Sequence, residues 1–261
     1  MEKDYLWLNI SSLPYFRGLL RAVEARFYEE IEIVQPVLDL GCGDGHFASV
    51  AFEKPLDVGI DPWSNAIQYA LSYGGYKFVS QSEGAELPFE DDYFSTVMSN
   101  SVLEHIEDLE PVLKEVRRVI KPDGKFVFCV PNHNFLSNLS ISNFLDRIGL
   151  STVGNAYRRF FNMISRHHHC DDSETWTKRL NTAGFEVISY WHYFSPKATG
   201  VLEWGHYFGL PSLLTRKIFG LWILFPKKWN IFLTERLMRP YYNEPQKTPE
   251  GSYSFYIAKK L

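Results

Sequence analysis

The stretch VLDLGCGDGHF, residues 37–47, places Gly41, Gly43 and Gly45 between a short apolar run and the start of a helical pattern. Glycines at such a turn let the backbone approach a ligand closely, because they lack a Cβ and tolerate positive φ. The stretch lacks the Gly-Lys-Ser/Thr ending of a phosphate-binding loop, and His46 stands where a dinucleotide-binding turn has its third glycine. The spacing therefore favours a different small ligand, with a nicotinamide-dependent oxidoreductase as the weaker alternative.

Two carboxylates accompany this turn. Asp39 precedes it by two residues, and Asp61 ends the next apolar run, LDVGID. A carboxylate beside the turn would repel a pyrophosphate and suits a ligand that carries an amine or a sulfonium. Ligands of doubly wound sheets bind beyond the carboxyl ends of the strands, where Asp61 could accept hydrogen bonds from both hydroxyls of a ribose. The plainer alternative is that Asp61 caps the following helix.

Histidines are the candidates for acid–base chemistry. His105 lies in LEHI, just after the fourth apolar run, and His168 lies in the run HHHC, residues 167–170. A general base is needed only where the acceptor holds a proton, as a hydroxyl does. We expect His105 and His168 to contact the acceptor, with loop-ordering roles as the alternative. Because adjacent residues converge poorly on one ion, we expect no metal at this run.

Short apolar runs and helical patterns alternate along the chain, which predicts a parallel sheet with helices on both faces. An amphipathic helix is predicted over 14–33. The predicted strands are 37–40, 56–60, 76–80, 94–99, 125–130, 184–194 and 252–260, and the further helices are 45–52, 64–71, 109–120 and 173–182.

The pattern divides the chain into a core and its additions. Residues 1–35 are expected to form an N-terminal helical segment. The core comprises 36–131, 170–195 and 250–261. Residues 132–169 and 196–249 interrupt the core, and we expect these two insertions to form a cap over the substrate.

Over residues 36–131 the motifs VLDLGCGDGHF, GIDP and SEGAELPFEDDYFSTVMSNSVLEHIEDLEPVLKEVRRVIKPDGKFVFCVPN occur in sequence. Their order and spacing resemble those of class I S-adenosylmethionine-dependent methyltransferases, close to the group that methylates small molecules. The resemblance implies S-adenosylmethionine as cofactor. It also implies an α/β, Rossmann-like, seven-stranded and mostly parallel sheet with an antiparallel last strand, helices on both faces and helical insertions as a cap.

The resemblance also implies roles for particular residues. Asp39 and the three glycines of the turn would hold the methionine end of the cofactor. Asp61 would hold the ribose, and Pro62 or Trp63 would line the adenine. Glu83, followed by Gly84, stands where the family has an acid that meets the adenine amino group. Asn100 and Ser101, at the end of the fourth strand, would face the sulfonium.

Composition limits the partners. The chain of 261 residues carries a net charge of −4, so nucleic acid is not the expected partner. No apolar run has the length of a signal-peptide core or a membrane span. The three cysteines are odd in number and widely spaced, which favours reduced thiols and a cytoplasmic protein.

The second insertion is basic and aromatic. Between Pro196 and Pro240, seven Lys or Arg residues stand against two Glu, a local charge of +5, amid many Trp, Phe and Leu. Such a segment packs its apolar face on the core as a helical cap, or lies in a membrane interface. We expect a cap, with peripheral membrane contact through residues 200–240 as a compatible role. A cap of this kind suits a lipid-like or lipid-linked acceptor.

The sequence thus predicts an S-adenosylmethionine-dependent methyltransferase that acts on a small-molecule acceptor by in-line transfer. The alternative is a catalytically inactive, cofactor-binding partner or regulatory protein. The sequence does not distinguish O-, C- and N-methylation, and it does not indicate an oligomeric state.

Overall fold

The computed structural model describes residues 3–261, and its centre is a seven-stranded sheet. The strands run in the order β3-β2-β1-β4-β5-β7-β6, with β7 antiparallel to both of its neighbours. This confirms the expected Rossmann-like sheet with an antiparallel last strand. The strands are β1 (Val37–Leu40), β2 (Leu56–Asp61), β3 (Tyr76–Gln81), β4 (Phe94–Asn100), β5 (Ile120–Pro131), β6 (Phe185–Tyr193) and β7 (Tyr253–Lys260).

Helices cover both faces of the sheet, and the helices that pack on it present an apolar stripe to it. In the clearest case, LEPVLKEVRRV, every apolar side chain except that of the proline is buried, at helical spacing. The helices are α1 (Tyr5–Ile10), α2 (Tyr15–Phe27), α3 (His46–Ala51), α4 (Ser64–Tyr73), α5 (Leu109–Val119), α6 (Asn134–Ser137), α7 (Ser140–Arg147), α8 (Ser151–Ser165), α9 (Ser173–Thr182), α10 (Pro196–Phe208), α11 (Leu210–Phe219) and α12 (Lys228–Tyr242).

The N-terminal helix is shorter than the predicted 14–33. Helix α2 ends at Phe27, and the next backbone N–H groups bond three residues back, as in a turn. The sequence continues with Glu29, Glu30 and Glu32. Negative side chains at a helix C-terminus are unfavourable beside the negative end of its dipole, so the helix stops before them.

Both insertions are helical. Helices α6, α7 and α8 lie within 132–169, and α10, α11 and α12 lie within 196–249. Helix α10 packs on α2 and α7, and α12 packs on α1 and α2. The second insertion therefore adheres to the N-terminal helices more than to the sheet.

Helix α2 is fastened to the sheet by a buried carboxylate. The side chain of Glu24 is fully buried and accepts hydrogen bonds from Arg21 (2.6 Å) and Asn100 (2.6 Å) at one oxygen. Its other oxygen accepts from the hydroxyls of Ser101 (3.1 Å) and Tyr193 (2.9 Å). One side chain therefore accepts hydrogen bonds from four donors, which come from α2, β4, the residue after β4, and β6.

We expect Glu24→Gln to destabilise the fold by about 3–5 kcal/mol, because an amide NH₂ would face two of these donors and Arg21 would lose its counter-charge. The free energy of unfolding, measured in urea, checks this. Glu30→Gln, three residues beyond the end of α2 and exposed, is the matched control and should change it by less than about 0.5 kcal/mol. Equal stability of the two variants would contradict the role given to Glu24.

Candidate active site

The glycine turn joins β1 to α3 with a left-handed backbone. Gly41, Gly43 and Gly45 have φ of 81°, 55° and 79°. The N–H groups of Gly41 and Cys42 both donate to the carbonyl of Ile60 (2.9 and 2.8 Å), which holds the turn against β2. Glycine is the residue that best fits this conformation, because residues with a side chain rarely adopt positive φ.

The surroundings of the three glycines differ. A Cβ on Gly41 would clash with the side chain of Val102, and one on Gly45 would lie 2.8 Å from the backbone of Ala70. A Cβ on Gly43 would meet nothing within 4 Å. Gly41 and Gly45 therefore allow close packing within the protein, whereas Gly43 leaves open space for a ligand.

Asp61, the last residue of β2, bonds to the glycine turn and to the residue before α4. One carboxylate oxygen accepts from the backbone N–H of Gly43 and the other from that of Trp63, both at 3.0 Å. The side chain thus holds the glycine turn and the start of α4 together. Each oxygen keeps a further lone pair, so these bonds leave room for hydroxyl donors of a ligand.

Asp39, at the centre of β1, is 3% exposed and accepts a hydrogen bond from the Tyr76 hydroxyl (2.6 Å). Burial raises the pKa of this carboxyl to about 6, although the Tyr76 hydrogen bond opposes the shift. The negative charge is therefore costly here, and a cationic ligand group would stabilise it.

A cavity of about 760 Å³ lies beyond the carboxyl ends of β1, β2 and β4. Ten of the eleven residues expected to bind the cofactor line it: Asp39, Gly41, Gly43, Asp61, Pro62, Trp63, Glu83, Gly84, Asn100 and Ser101. Gly45 does not line the cavity, and it allows the turn to pack closely on α4. Trp63, 74% exposed, stands at the rim.

Three arginines at this cavity were not anticipated. Arg17 and Arg21 reach it from α2, and Arg216 reaches it from α11 in the second insertion. The sequence carried a signal for the first two, since Arg17, Arg21 and Glu24 recur at i, i+4 and i+7, on one face of a largely apolar helix. Arg216 had no such signal, because only tertiary packing brings α11 to the cavity.

A second cavity, of about 160 Å³, adjoins the first and shares Arg17, Arg21, Ser101 and His105 with it. Apolar and aromatic side chains from α2, α6, α10 and β7 form part of its wall, and arginine, serine, glutamate and histidine side chains form the rest. Its other lining residues are Phe16, Leu20, Glu104, Phe135, Ser165, His167, Leu202, His206 and Tyr253.

The structure separates the two expected catalytic histidines. His105, in the 3₁₀ turn Leu103–His105 after β4, lines both cavities. His168 is exposed and lines neither of them, and its backbone N–H donates to the carbonyl of Glu104 (2.7 Å). Its neighbour His167 lines the smaller cavity instead, where burial lowers the pKa of the imidazole to about 3.

Glu104 is a further residue that the sequence interpretation missed, although it precedes His105 in LEHI. Its side chain is 1% exposed, and burial raises the pKa of the carboxyl to about 8. One of its oxygens, Oε2, is buried without a hydrogen-bond partner. An unsatisfied acid at a cavity wall is energetically costly and is typical of functional sites.

Known proteins share this architecture. A family model described as "Methyltransferase domain" matches residues 14–190. The chain is 34% identical over 98 residues to the uncharacterized methyltransferase YcgJ of Bacillus subtilis, over 35% of this chain and 38% of YcgJ. It is 29% identical over 181 residues to the ubiquinone/menaquinone biosynthesis C-methyltransferase UbiE of Vibrio vulnificus, over 60% of this chain and 66% of UbiE. Each alignment spans less than two thirds of the relative's length.

Among solved structures, a SAM-dependent methyltransferase from Thermotoga maritima matches with a TM-score of 0.57 and 14% identity. The match covers 94% of this chain and 91% of that chain. At 14% identity this likeness establishes the fold alone. The family is assigned from the match of the family model.

The glycines give a test of the larger cavity. We expect Gly41→Ala to lower the free energy of unfolding by about 1–3 kcal/mol, because of its positive φ and the contact with Val102. Gly43→Ala should cost about 1 kcal/mol, yet lower the affinity for S-adenosylhomocysteine, because its methyl group would occupy ligand space. Urea unfolding and calorimetry measure the two effects. Unchanged affinity of Gly43→Ala would argue against a ligand at this turn.

Proposed function

The chain belongs to the class I S-adenosylmethionine-dependent methyltransferases, and we propose that its acceptor is a small, lipid-like or lipid-linked molecule. The observation that carries this proposal is the smaller cavity beside the cofactor cavity, which has an apolar part formed by Phe16, Leu20, Phe135 and Leu202. With a volume of about 160 Å³, it suits the reacting end of such a molecule. The relative named as a ubiquinone/menaquinone biosynthesis C-methyltransferase supports a small-molecule acceptor.

The larger cavity suits the cofactor. Its volume is typical of small-molecule sites, Gly43 leaves space at the turn, and Asp39 lies buried near it. We assign the methionine end to the glycine turn, the ribose to Asp61, and the adenine to Pro62, Trp63 and Glu83. S-adenosylmethionine supplies a methyl group on a good leaving group, so alignment and exclusion of water are the main tasks of the protein.

The smaller cavity suits the acceptor. Phe16, Leu20, Phe135 and Leu202 form an apolar part of its wall, which would limit the access of water to a reacting group. His105 stands where the two cavities meet, so we assign it to the reacting group of the acceptor. His167 takes the acceptor-side position that the sequence had suggested for His168, because only His167 faces the cavity.

Both insertions contribute to these walls, which supports their role as a substrate cap. His167 and Ser165 belong to the first insertion, and Leu202 and His206 belong to the second. Phe16 of α2 packs against His206, with ring centroids 4.7 Å apart. Displacing α10 would therefore open the acceptor cavity.

The second insertion also has an apolar outer surface, which supports peripheral membrane contact. Large apolar side chains of α10, α11, α12 and the α11–α12 connection are more than a third exposed; they are Trp204, Phe208, Leu210, Leu213, Leu214, Ile218, Phe219, Leu221, Phe225, Trp229, Phe232, Leu233 and Leu237. Lysines and arginines accompany them, as in helices that lie in anionic membrane interfaces. No helix of the described residues is long and apolar enough to span a membrane.

The acceptor class can be tested with methyl-labelled S-adenosylmethionine and a cell extract divided into lipid, aqueous and macromolecular fractions. We expect label in the lipid fraction with the wild type and none with Asp61→Ala, which should lose cofactor affinity. Label confined to the aqueous fraction would contradict a lipid-like acceptor. Tight S-adenosylhomocysteine binding without label in any fraction would favour the inactive cofactor-binding protein.

Flotation with anionic liposomes tests the membrane surface. Trp229 and Phe232, on α12, are 75% and 60% exposed. We expect the double variant Trp229→Glu/Phe232→Glu to reduce liposome binding at least about tenfold, because it replaces apolar contacts with charges that the lipid repels. The control is Leu71→Glu/Phe78→Glu, which changes residues 65% and 71% exposed on α4 and β3. Similar binding by both variants would contradict the assignment of this surface.

A further inference from the structure

We propose that Glu104, His105 and His167 form a binding site for one divalent transition-metal ion, of the class that includes Zn²⁺ and Co²⁺. One potential ligand atom from each residue lies within 4.8 Å of the other two. Ligand atoms around a tetrahedral zinc ion are about 3.4 Å apart, so movements of about 1 Å at the side-chain ends would close the site. Two imidazoles and a carboxylate are a common set for an ion that keeps a position open for substrate.

The carboxylate of Glu104 lacks the partners that its burial requires. Oε2 is buried with no hydrogen-bond partner, and Oε1 lies 3.8 Å from His105 Nε2, beyond hydrogen-bond length. A buried, unpaired carboxylate is strongly unfavourable unless a cation or donor reaches it. A metal ion between Glu104 and the two imidazoles would satisfy it.

The ring of His105 is held as a metal ligand is usually held. Its Nδ1 lies 2.9 Å from the carbonyl oxygen of Arg166, which assigns the ring proton to Nδ1 and leaves the Nε2 lone pair free. Metal-bound histidines typically donate their second ring nitrogen to a backbone carbonyl or carboxylate in this way. Nε2 is also the nitrogen on the Glu104 side.

Hydrogen bonds to two backbone carbonyls keep the two halves of the site together. The carbonyl of Glu104 accepts from the N–H of His168 (2.7 Å), and His169 Nε2 lies 2.9 Å from the carbonyl oxygen of Ile106. The loop that carries His167 is therefore fastened to the turn that carries Glu104 and His105. Because the loop is already held in place, the protein would lose less conformational entropy when an ion binds.

The position of the site indicates a role, which rests on the proposed function. All three residues line the smaller cavity, and His105 also lines the cofactor cavity. An ion here would bind an oxygen of the acceptor and orient it toward the cofactor, so His105 would act on the acceptor through the ion and not by direct contact. If an ion binds there, we expect the acceptor to carry a hydroxyl or carboxyl oxygen near the atom that is methylated.

Titration of the chelator-stripped full chain with Co²⁺, followed by visible absorption, tests the site. We expect one equivalent to bind with a ligand-field spectrum, and Zn²⁺ to displace it. Glu104→Gln and His167→Ala should each weaken binding by about 10–100-fold. His168→Ala is the matched control for binding, because its side chain is exposed beside the cluster, and it should bind Co²⁺ as the wild type does.

Thermal unfolding and S-adenosylhomocysteine binding, measured on each variant, separate this inference from the proposed function. A wild type without the spectrum, or variants that bind Co²⁺ unchanged, would overturn the metal site and leave the methyltransferase function standing. Co²⁺ binding that is lost in folded Glu104→Gln, with S-adenosylhomocysteine still bound, would support it. The same loss, together with no lipid-fraction label from the wild type, would support the metal site and contradict the lipid-like acceptor.

Discussion

The carboxylate of Glu24 accepts hydrogen bonds from Arg21, Asn100, Ser101 and Tyr193, and through them it joins α2 to the carboxyl edge of the sheet. A buried charge is tolerated only where its bonding capacity is filled, so this contact allows little freedom in the position of the helix. Arg17 and Arg21 consequently stand over the cofactor cavity, and Phe16 and Leu20 wall the smaller one. The second insertion packs on α2, so its position also depends on the contact of Glu24 with the sheet.

The cofactor end of the sheet is determined more locally. The backbone of the glycine turn bonds to Ile60, and Asp61 bonds to the turn and to the start of α4. These groups lie within one strand–turn–helix unit and its parallel neighbour. Their arrangement follows from the register of β1 on β2, which pairs Asp39 with Gly59 and Leu40 with Ile60.

The acceptor end has a different character, because it collects side chains from distant parts of the chain. Glu104 and His105 follow β4, His167 follows α8, and Leu202 and His206 come from α10. Two buried polar atoms here, Glu104 Oε2 and Ser165 Oγ, have no hydrogen-bond partner, whereas both oxygens of Glu24 accept hydrogen bonds. The contrast separates a polar cluster that fastens the fold from one that is available to a ligand or an ion.

The sequence by itself predicted the alternation of strands and helices, the mostly parallel sheet and the glycine turn after its first strand, because apolar periodicity and glycine turns are local properties. It did not determine the end of α2, the approach of Arg216, or which histidine of HHHC faces inward. In that run, hydrogen bonds of the loop to Glu104 and Ile106, together with the contact of His167 with Phe135, accompany the placement of His167 at the cavity and of His168 in solvent. Tertiary structure decided these points, since the direction of a loop side chain depends on contacts with residues some sixty positions away.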